Sequence, residues 1–305
     1  MAGIWQWELE FIQNLQQIQS PALNGVFIFF SYLGNELFYL ILFLFLLWCI
    51  NFKLGMRVGI LLLVSVYINI LLKSIFQMVR PFDFLPALQL ISAEGFGFPS
   101  GHAQSSILVW CSVAHWSKRR ILWYLAFLLS FLIGFSRIYL GVHFPHDVMG
   151  GWLVGGFIFY LYHYLLIPHL RSRQLREKSI PDTQDFKKKI ILVSLFPILV
   201  IIFPAVDIIK IIGILTGVGW GLVINSYFIH VQETGGTLAQ RLLRFVLGIS
   251  GIIILYFGLK ILFPEEGQNL YQLWQFIRYV LLGLWIAAGA PWLFSRLKLA
   301  GGLYN

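Results

Sequence analysis

The chain has 305 residues, of which 59% are hydrophobic and only 11% are charged, and its mean hydropathy is +0.80. A soluble globular protein carries about 25% charged residues, so this composition excludes an ordinary soluble domain and predicts an all-α, polytopic membrane helical bundle. The formal net charge of +9 could suggest nucleic acid as a partner. In a membrane protein, however, an excess of Lys and Arg reports topology, and we expect membrane lipids as partners and no nucleic acid.

The first segment, residues 1–21, shows helical periodicity. Apolar and aromatic residues recur at helical spacing from Ile4 to Ile18, with glutamines between them. We expect an amphipathic helix that lies in the membrane interface, with Trp5 and Trp7 as anchors. The alternative is a helix that caps the fold from the aqueous phase.

Long apolar runs follow along the rest of the chain. A membrane-spanning helix needs about 20 apolar residues. The candidate runs are residues 35–51, 54–76, 101–116, 120–139, 146–168, 190–204, 207–230, 238–263 and 271–296. The sequence therefore predicts about nine spans, with eight or ten as alternatives. The apolar segment 22–33 could form a separate interfacial or re-entrant helix.

Basic residues between the runs predict the topology. If the spans alternate in direction, most basic residues fall on one side, which the positive-inside rule makes cytoplasmic. They are Lys53, Arg57, Lys118, Arg119, Arg120, Arg171, Arg173, Arg176, Lys178, Lys187, Lys188, Lys189, Arg241, Arg244, Arg296 and Lys298. The opposite side holds the acidic pair Glu265 and Glu266 and three polar motifs. Because the rule disfavours cations on that side, the cations of the motifs suggest a function.

The first motif pairs two cations at the end of the second run. Lys73 and Arg80 are seven residues apart, so a helix would project both from one face until Pro81 ends it. An ammonium and a guanidinium on one face form a clamp for phosphate oxygens, and the guanidinium can bind two oxygens at once. On their own, two cations with this spacing are more often interfacial charges than ligands.

The second motif, Pro99-Ser100-Gly101-His102, opens the third run. Ser100 is a preferred N-cap residue, and the free N–H groups of a helix start bind anions. Gly101 lets the backbone approach an anion closely. His102, in the first turn, can reach the oxygen that leaves the phosphorus. Taken alone, His102 could instead be an interfacial capping histidine.

The third motif lies between the fourth and fifth runs. Arg137 ends the fourth run, His143 follows in a short turn, and Asp147 falls in the first turn of the next helix. A carboxylate four residues after a histidine can accept a hydrogen bond from one ring nitrogen and leave the other free as a nucleophile. We interpret the neighbouring His146 as structural.

Together the three motifs resemble those of the type-2 phosphatidic acid phosphatase superfamily, which includes lipid phosphate phosphatases and vanadium haloperoxidases. Every motif position from Lys73 to Asp147 is present with the family spacing. The resemblance implies that His143 forms a phosphohistidine, that Asp147 orients it, and that His102 protonates the leaving oxygen and later activates water. It also implies that the phosphoryl oxygens are bound by Lys73, Arg80, Ser100, Gly101 and Arg137. No metal or other cofactor is implied.

The resemblance implies a membrane phosphatase, and with the distribution of basic residues we expect a bacterial inner-membrane enzyme whose active site faces the periplasm or exterior. Its substrate would be an anionic phospholipid-like or polyprenyl phosphate, such as undecaprenyl diphosphate. Two alternatives stay open: a lipid phosphotransferase that uses the same intermediate, and a lipid transporter or scaffold with a vestigial core. The intact motifs argue against a vestigial core, because such a site should have lost at least one histidine.

The motifs also predict how the chain is organised. We expect an interfacial helix over 1–21, a phosphatase-like catalytic core over 22–168, a basic cytoplasmic loop over 169–189 and additional spans over 190–305. Within the core, the apolar outer loop 82–98 is either a lid or rim that receives an acyl or prenyl chain, or an interfacial packing loop.

Three further cations lie in the outer halves of the additional spans. They are Lys210, Lys260 and Arg278. An intramembrane cation is costly and suggests a function, such as binding a second phosphate or a sugar head group. The alternative pairs Lys210 with Asp207, and Lys260 with Glu265 or Glu266.

Overall fold

The computed structural model describes residues 2–169, 183–195, 197–198, 206–231, 235–264, 267 and 270–299. Every regular element in these ranges is helical, which confirms the all-α prediction. The chain divides into two compact units. The first is formed by Met1–Ile41 and Leu61–Arg176, and the second by Leu42–Ile60 and Glu177–Asn305.

The α-helices are numbered in chain order. They are α1 (Ala2–Gln16), α2 (Pro21–Tyr32), α3 (Glu36–Phe45), α4 (Phe52–Phe76), α5 (Pro81–Phe84), α6 (Gly101–Ser117), α7 (Arg120–Tyr139), α8 (Pro145–Tyr160), α9 (Thr183–Val193), α10 (Val206–Ile224), α11 (Leu238–Leu262), α12 (Tyr271–Leu284) and α13 (Ala290–Arg296). Short π-helical turns follow α3, α8, α10 and α12, at Leu46–Ile50, Leu161–Leu166, Asn225–Ile229 and Trp285–Gly289.

The described helices make the chain a multi-pass membrane protein. Six segments are long and apolar enough to cross a membrane: Phe52–Phe84, Arg120–Tyr139, Pro145–His169, Asp207–Ile229, Leu238–Leu262 and Tyr271–Arg296. A seventh span results if Pro21–Tyr32 and Glu36–Ile50, which are bent by 53° at the break between them, count as one.

The predicted count of nine spans is not confirmed by the described residues. The run 35–51 forms the second half of the bent pair instead of a straight span. The run 101–116 forms α6, whose 17 residues extend about 25 Å, less than the roughly 30 Å hydrocarbon core of a bilayer. The run 190–204 includes residues outside the described ranges.

Helix α1 forms within the predicted segment 1–21 and packs against the first unit along one face. The side chain of Gln16 donates hydrogen bonds to the carbonyl oxygens of Leu88 at 2.9 Å and Tyr139 at 2.8 Å. Trp5, expected as a membrane anchor, lies edge-on against Phe144 with ring centroids 4.8 Å apart. These contacts fit the alternative, in which α1 caps the fold. The interfacial position of α1 stays a prediction.

In the first unit, α8 packs closely on α6 because two glycines face that helix. A Cβ atom on Gly151 would lie 2.5 Å from the Ser100 carbonyl oxygen, and one on Gly155 would lie 2.3 Å from that of Gln104. Small residues four apart allow membrane helices to approach this closely. The contact brings α6, which begins within the second motif, against α8, which begins within the third.

The second unit has its own apolar core, in which α10 packs against α12 and its π-helical continuation. Its buried side chains include Leu47, Trp48, Phe52, Val218, Ile286, Ala287, Ala290 and Phe294. The basic loop predicted over 169–189 lies largely outside the described residues.

The cations of the second unit have different surroundings. The Lys210 ammonium lies 2.8 Å from an Asp207 carboxylate oxygen. This is the ion pair that the alternative to a binding role predicted for Lys210. The Arg278 guanidinium is buried and lies 5.2 Å and 5.5 Å from the ring centroids of Tyr256 and Tyr279. The acidic partners considered for Lys260 lie outside the described residues.

Candidate active site

The turn between α7 and α8 fixes the position of His143. The backbone N–H groups of Val142 and His143 donate to the Arg137 carbonyl at 3.1 and 3.2 Å. His143 Nδ1 lies 3.2 Å from Asp147 Oδ2, and the same oxygen accepts a hydrogen bond from the Phe144 N–H at 2.9 Å. Because Asp147 is also fully buried, the first turn of α8 holds carboxylate and imidazole together.

The second ring nitrogen of His143 faces a cation. Arg80 Nη1 lies 3.2 Å from His143 Nε2. A guanidinium N–H can only donate, so Nε2 is assigned as the acceptor and the ring proton is placed on Nδ1, toward Asp147. Burial lowers the pKa of His143 to about 3, although the hydrogen bond to Asp147 opposes this effect. The imidazole is therefore neutral at neutral pH, with its lone pair on Nε2.

Arg80 is held in place by backbone carbonyls beside His143. Its Nη2, Nε and Nη1 atoms each donate at 2.7 Å to the carbonyl oxygens of Glu94, Gly95 and Val142. Lys73 binds the same outer loop, because its Nζ donates to the carbonyl oxygen of Phe96. Both cations of the first motif thus fasten the loop at the site as well as supplying positive charge.

The two cations do not share a helical face, contrary to the sequence prediction. Helix α4 ends at Phe76, and Gln77 has a left-handed φ of 46°. Arg80 is extended, with φ −103° and ψ 163°, because the ring of Pro81 disfavours a helical conformation in the preceding residue. Lys73 therefore reaches the site from the last turn of α4, and Arg80 reaches it from a loop.

The second motif places a helix N-terminus beside Asp147. Ser100 is the N-cap of α6, as predicted, and its N–H donates to the Asp147 backbone carbonyl at 2.9 Å. The Ser100 hydroxyl is buried and has no hydrogen-bond partner among the described residues. A Cβ on Gly101 would lie 3.3 Å from the side-chain oxygen of Asn69. The start of α6 is thus closely packed from the α4 side.

His102 lies in the first turn of α6, partly buried. A Cβ on Gly34, in the turn between α2 and α3, would come 2.8 Å from His102 Cδ2. Burial lowers the pKa of His102, and the charged groups of the other two motifs lower it further, Arg137 first and then His143, Arg80 and Lys73. All three motifs therefore meet around this imidazole.

Arg137 completes the cationic side of the site. It lies in the last turn of α7 and is 5% exposed. Its Nη1 donates to the Ser31 hydroxyl of α2, while its buried Nε has no hydrogen-bond partner among the described residues. The three motifs thus supply three cations and one carboxylate. Arg80 and Arg137 are buried, and a buried surplus of positive charge favours the binding of an anion.

Comparison with known proteins identifies the family. Residues 54–170 match the model of the PAP2 superfamily, and residues 209–302 match that of the PAP2 superfamily phosphatase, transmembrane extension. An undecaprenyl-diphosphatase from Sulfolobus acidocaldarius is 30% identical over 165 residues, which cover 51% of this chain and 76% of the relative. The chain belongs to the PAP2 superfamily.

A curated protein and a solved structure from Bacillus subtilis are also similar. Phosphatidylglycerophosphatase B is 32% identical over 157 residues, or 47% of this chain and 75% of the relative. The crystal structure of a transmembrane PAP2 type phosphatidylglycerolphosphate phosphatase is 24% identical, with a TM-score of 0.48, over 59% of this chain and 90% of that one. The resemblance seen in the motifs is confirmed, and the additional C-terminal helices correspond to an extension found in PAP2 proteins.

Sequence reasoning missed a polar network under the second PAP2 motif. The Asn69 amide donates to the Pro99 carbonyl at 3.1 Å and to Gln104 Oε1 at 2.8 Å. Gln104 in turn donates to the carbonyl and hydroxyl oxygens of Ser65. The sequence did contain a signal for this network, since these polar residues interrupt apolar runs. Polar side chains inside a membrane are usually functional or bonded to partners.

Sequence reasoning also missed a contact of the PAP2 site with α1. Glu8, which is 2% exposed, accepts hydrogen bonds from the backbone and the ring of His146. His146 Nε2 lies 3.2 Å from Asp147 Oδ1. His146 therefore lies between two carboxylates, one of them from outside the three motifs.

The outer loop of the PAP2 site is packed against the motifs. Phe98 lies against Phe76 and His146, with ring centroids 5.1 and 6.0 Å away. Leu90 N–H donates to the Leu140 carbonyl at 3.1 Å. These contacts fit the packing-loop alternative, and the exposed side chain of Phe96 keeps an apolar rim beside the site.

Proposed function

We propose that this PAP2 protein is a membrane phosphatase that hydrolyses a lipid phosphate or diphosphate through a phosphohistidine at His143, without a metal ion. The observation that carries the proposal is the position of this imidazole between Asp147 and Arg80. The carboxylate holds Nδ1 at 3.2 Å, and Nε2 faces the cationic side of the site at 3.2 Å. A neutral, oriented imidazole beside cations has the properties of a nucleophile for a phosphate ester.

In the first step, the Nε2 lone pair of His143 forms an N–P bond while the bond from phosphorus to the leaving oxygen breaks. The Nδ1 proton stays on the ring, where Asp147 stabilises the positive charge that develops. The negative charge of the bound phosphate group offsets the effect of the nearby cations on His102, so His102 binds a proton and gives it to the leaving oxygen. The Arg80 N–H group, which donates to His143 Nε2 in the structure, donates to a phosphoryl oxygen instead. Lys73 and Arg137 stabilise the remaining negative charge on the phosphoryl oxygens.

In the second step, water attacks the phosphohistidine. His102, neutral after the first step, accepts a proton from the water as the new O–P bond forms. The N–P bond breaks, its electron pair returns to His143, and inorganic phosphate leaves. Both steps use the same cations, because the charge on the phosphoryl oxygens is similar in the two transition states.

The substrate we propose is an anionic lipid with a terminal phosphate or diphosphate. Two relatives are named for undecaprenyl diphosphate and phosphatidylglycerophosphate, and both names describe a phosphorylated lipid. The exposed apolar side chains of Phe84 and Phe96 lie on the outer loop, where a lipid chain would pass. We place the active site on the periplasmic or exterior face of an inner membrane, because the basic loops predict the opposite face as cytoplasmic.

The experiment is phosphate release by the purified full-length protein from a panel of lipid phosphates in detergent, with excess EDTA throughout. We expect release in the presence of EDTA and none from His143→Ala. A strict requirement for Mg²⁺ would contradict the metal-free mechanism. Transfer to a lipid hydroxyl without phosphate release would identify a phosphotransferase, and no reaction with any substrate would favour a transporter or scaffold.

A further inference from the structure

We propose that Glu8 of α1 is a positioning residue for the nucleophile and acts on it through His146 and Asp147. The inference rests on the proposed function, since it concerns how His143 is held for attack. Glu8 precedes the matched family region, residues 54–170, so in this chain a helix outside that region contributes to the site.

The contact between Glu8 and His146 involves both carboxylate oxygens. Glu8 Oε2 lies 2.6 Å from His146 Nδ1, and Oε1 accepts the His146 backbone N–H at 3.0 Å. Glu8 is 2% exposed. A buried carboxylate that accepts two hydrogen bonds from one residue fixes both its backbone and its ring.

The next contact connects His146 to the nucleophile. His146 Nε2 lies 3.2 Å from Asp147 Oδ1, at an ion-pair separation without hydrogen-bond geometry. The other oxygen of Asp147 lies 3.2 Å from His143 Nδ1. The four side chains therefore alternate as carboxylate, imidazole, carboxylate and imidazole, and Glu8 is at the far end from the reacting nitrogen.

The ring of His146 is fixed in orientation by its neighbours. Phe144 and Phe98 stack on it with ring centroids 5.5 and 6.0 Å away, and Trp5 of α1 meets it edge-on at 5.2 Å. The ring thus presents Nδ1 to Glu8 and Nε2 to Asp147. With a carboxylate at each nitrogen, His146 is held as an imidazolium.

Charge explains why Glu8 affects the nucleophile. Asp147 has an imidazole beside each of its oxygens, and the imidazolium of His146 attracts Oδ1 while Oδ2 faces His143. Glu8 fixes the ring of His146 and shares its charge, so His146 holds Oδ1 in place without drawing the carboxylate away from His143. Without Glu8, Asp147 is the one carboxylate that the described residues leave beside the partly exposed imidazolium, and it turns toward His146.

A purely structural role for Glu8 makes a different prediction. If Glu8 only fastened α1, its loss would lower thermal stability and leave the turnover of the folded enzyme unchanged. A positioning role lowers kcat, with little change in KM, because substrate contacts stay intact. It also makes the effects of Glu8 and His146 substitutions non-additive, since both act through one path.

The experiment measures kcat, KM and the thermal midpoint of the full-length protein in detergent, with p-nitrophenyl phosphate and phosphatidic acid as substrates. The variants are Glu8→Gln, His146→Gln, the double variant and His143→Ala. Glu10→Gln is the matched control, because Glu10 is on the same helix but is exposed, and among the described residues its side chain bonds to Gln6 alone. We expect kcat of Glu8→Gln to fall by about 10-fold to 100-fold, and the double variant to lose no more than His146→Gln.

Two results would overturn the inference: a folded Glu8→Gln protein with the kcat of Glu10→Gln, or multiplicative losses in the double variant. If Glu8→Gln does not fold, His146→Gln provides the same test, and a wild-type kcat in that variant would overturn the inference. Failure of the proposed function is distinct, because His143→Ala would then keep the activity. An inactive His143→Ala together with a fully active Glu8→Gln refutes only the role of Glu8.

Discussion

Arg80 Nη1 lies 3.2 Å from His143 Nε2, so a cation that is fixed by three backbone carbonyls meets the nitrogen we propose as the nucleophile. This relationship combines two roles in one guanidinium. It fastens the outer loop through the carbonyls of Glu94 and Gly95, and it offers an N–H group where a phosphoryl oxygen must be bound. A planar donor with five N–H groups can do both at once.

Replacement of Arg80 by lysine should therefore abolish most of the activity although the charge is kept. An ammonium cannot reach three carbonyl oxygens in different directions and also face Nε2. We expect kcat/KM to fall by about 100-fold to 1000-fold, measured by phosphate release. The control Arg120→Lys, at an exposed position at the start of α7, should keep wild-type activity. Similar activities of the two variants would show that Arg80 contributes only its charge.

The stability of the protein should depend on pH through His143. Its pKa is lowered by burial from 6.5 to about 3, so the unfolded chain binds more protons than the folded protein between these values. Stability from this group is therefore complete above about pH 6.5 and is lost as the pH falls toward about 3. Thermal midpoints of the wild type should decrease with acidification, and those of His143→Asn should decrease less. Parallel curves would contradict the assigned burial effect.

The topology is testable with one cysteine in the outer loop. Cys49 and Cys111 are buried, so they contribute little labelling in the folded protein. A Ser92→Cys variant should react with an impermeant thiol reagent added to whole cells. Ser92 is exposed, and the proposed topology puts its loop on the side opposite the basic loops. The control Arg119→Cys should react only after permeabilisation. The reverse pattern in functional variants would overturn the proposed orientation.

Local sequence signals predicted the start of two site helices. Ser100 is the N-cap of α6, and Pro145 is the first residue of α8 with Asp147 in its first turn. These features depend on residues close in sequence, which is why spacing alone could place His143 beside a carboxylate. The helical path from Lys73 to Arg80 was wrong because the helix already ends at Phe76, where Gln77 takes a left-handed φ, and because Pro81 favours an extended Arg80.

Contacts between distant segments could not be predicted from one sequence. Ser31, Asn69 and Glu8 lie 106, 30 and 138 residues from the site residues they bind. A polar residue in an apolar run indicates that it has a partner, but it does not identify that partner. The amphipathic pattern of α1 predicted an apolar face toward lipid, whereas the structure directs Trp5 toward Phe144.

The central claim is that His143 carries the phosphoryl group, and rapid-quench trapping tests it most directly. The substrate is p-nitrophenyl phosphate labelled at phosphorus, whose leaving group needs little acid assistance. The His102→Ala protein can therefore form the intermediate, but it lacks the base that activates water. We predict that acid-labile, alkali-stable label accumulates and maps to His143, and that His143→Ala forms none. No label in His102→Ala together with label in His143→Ala would contradict the account and reverse the roles of the two histidines.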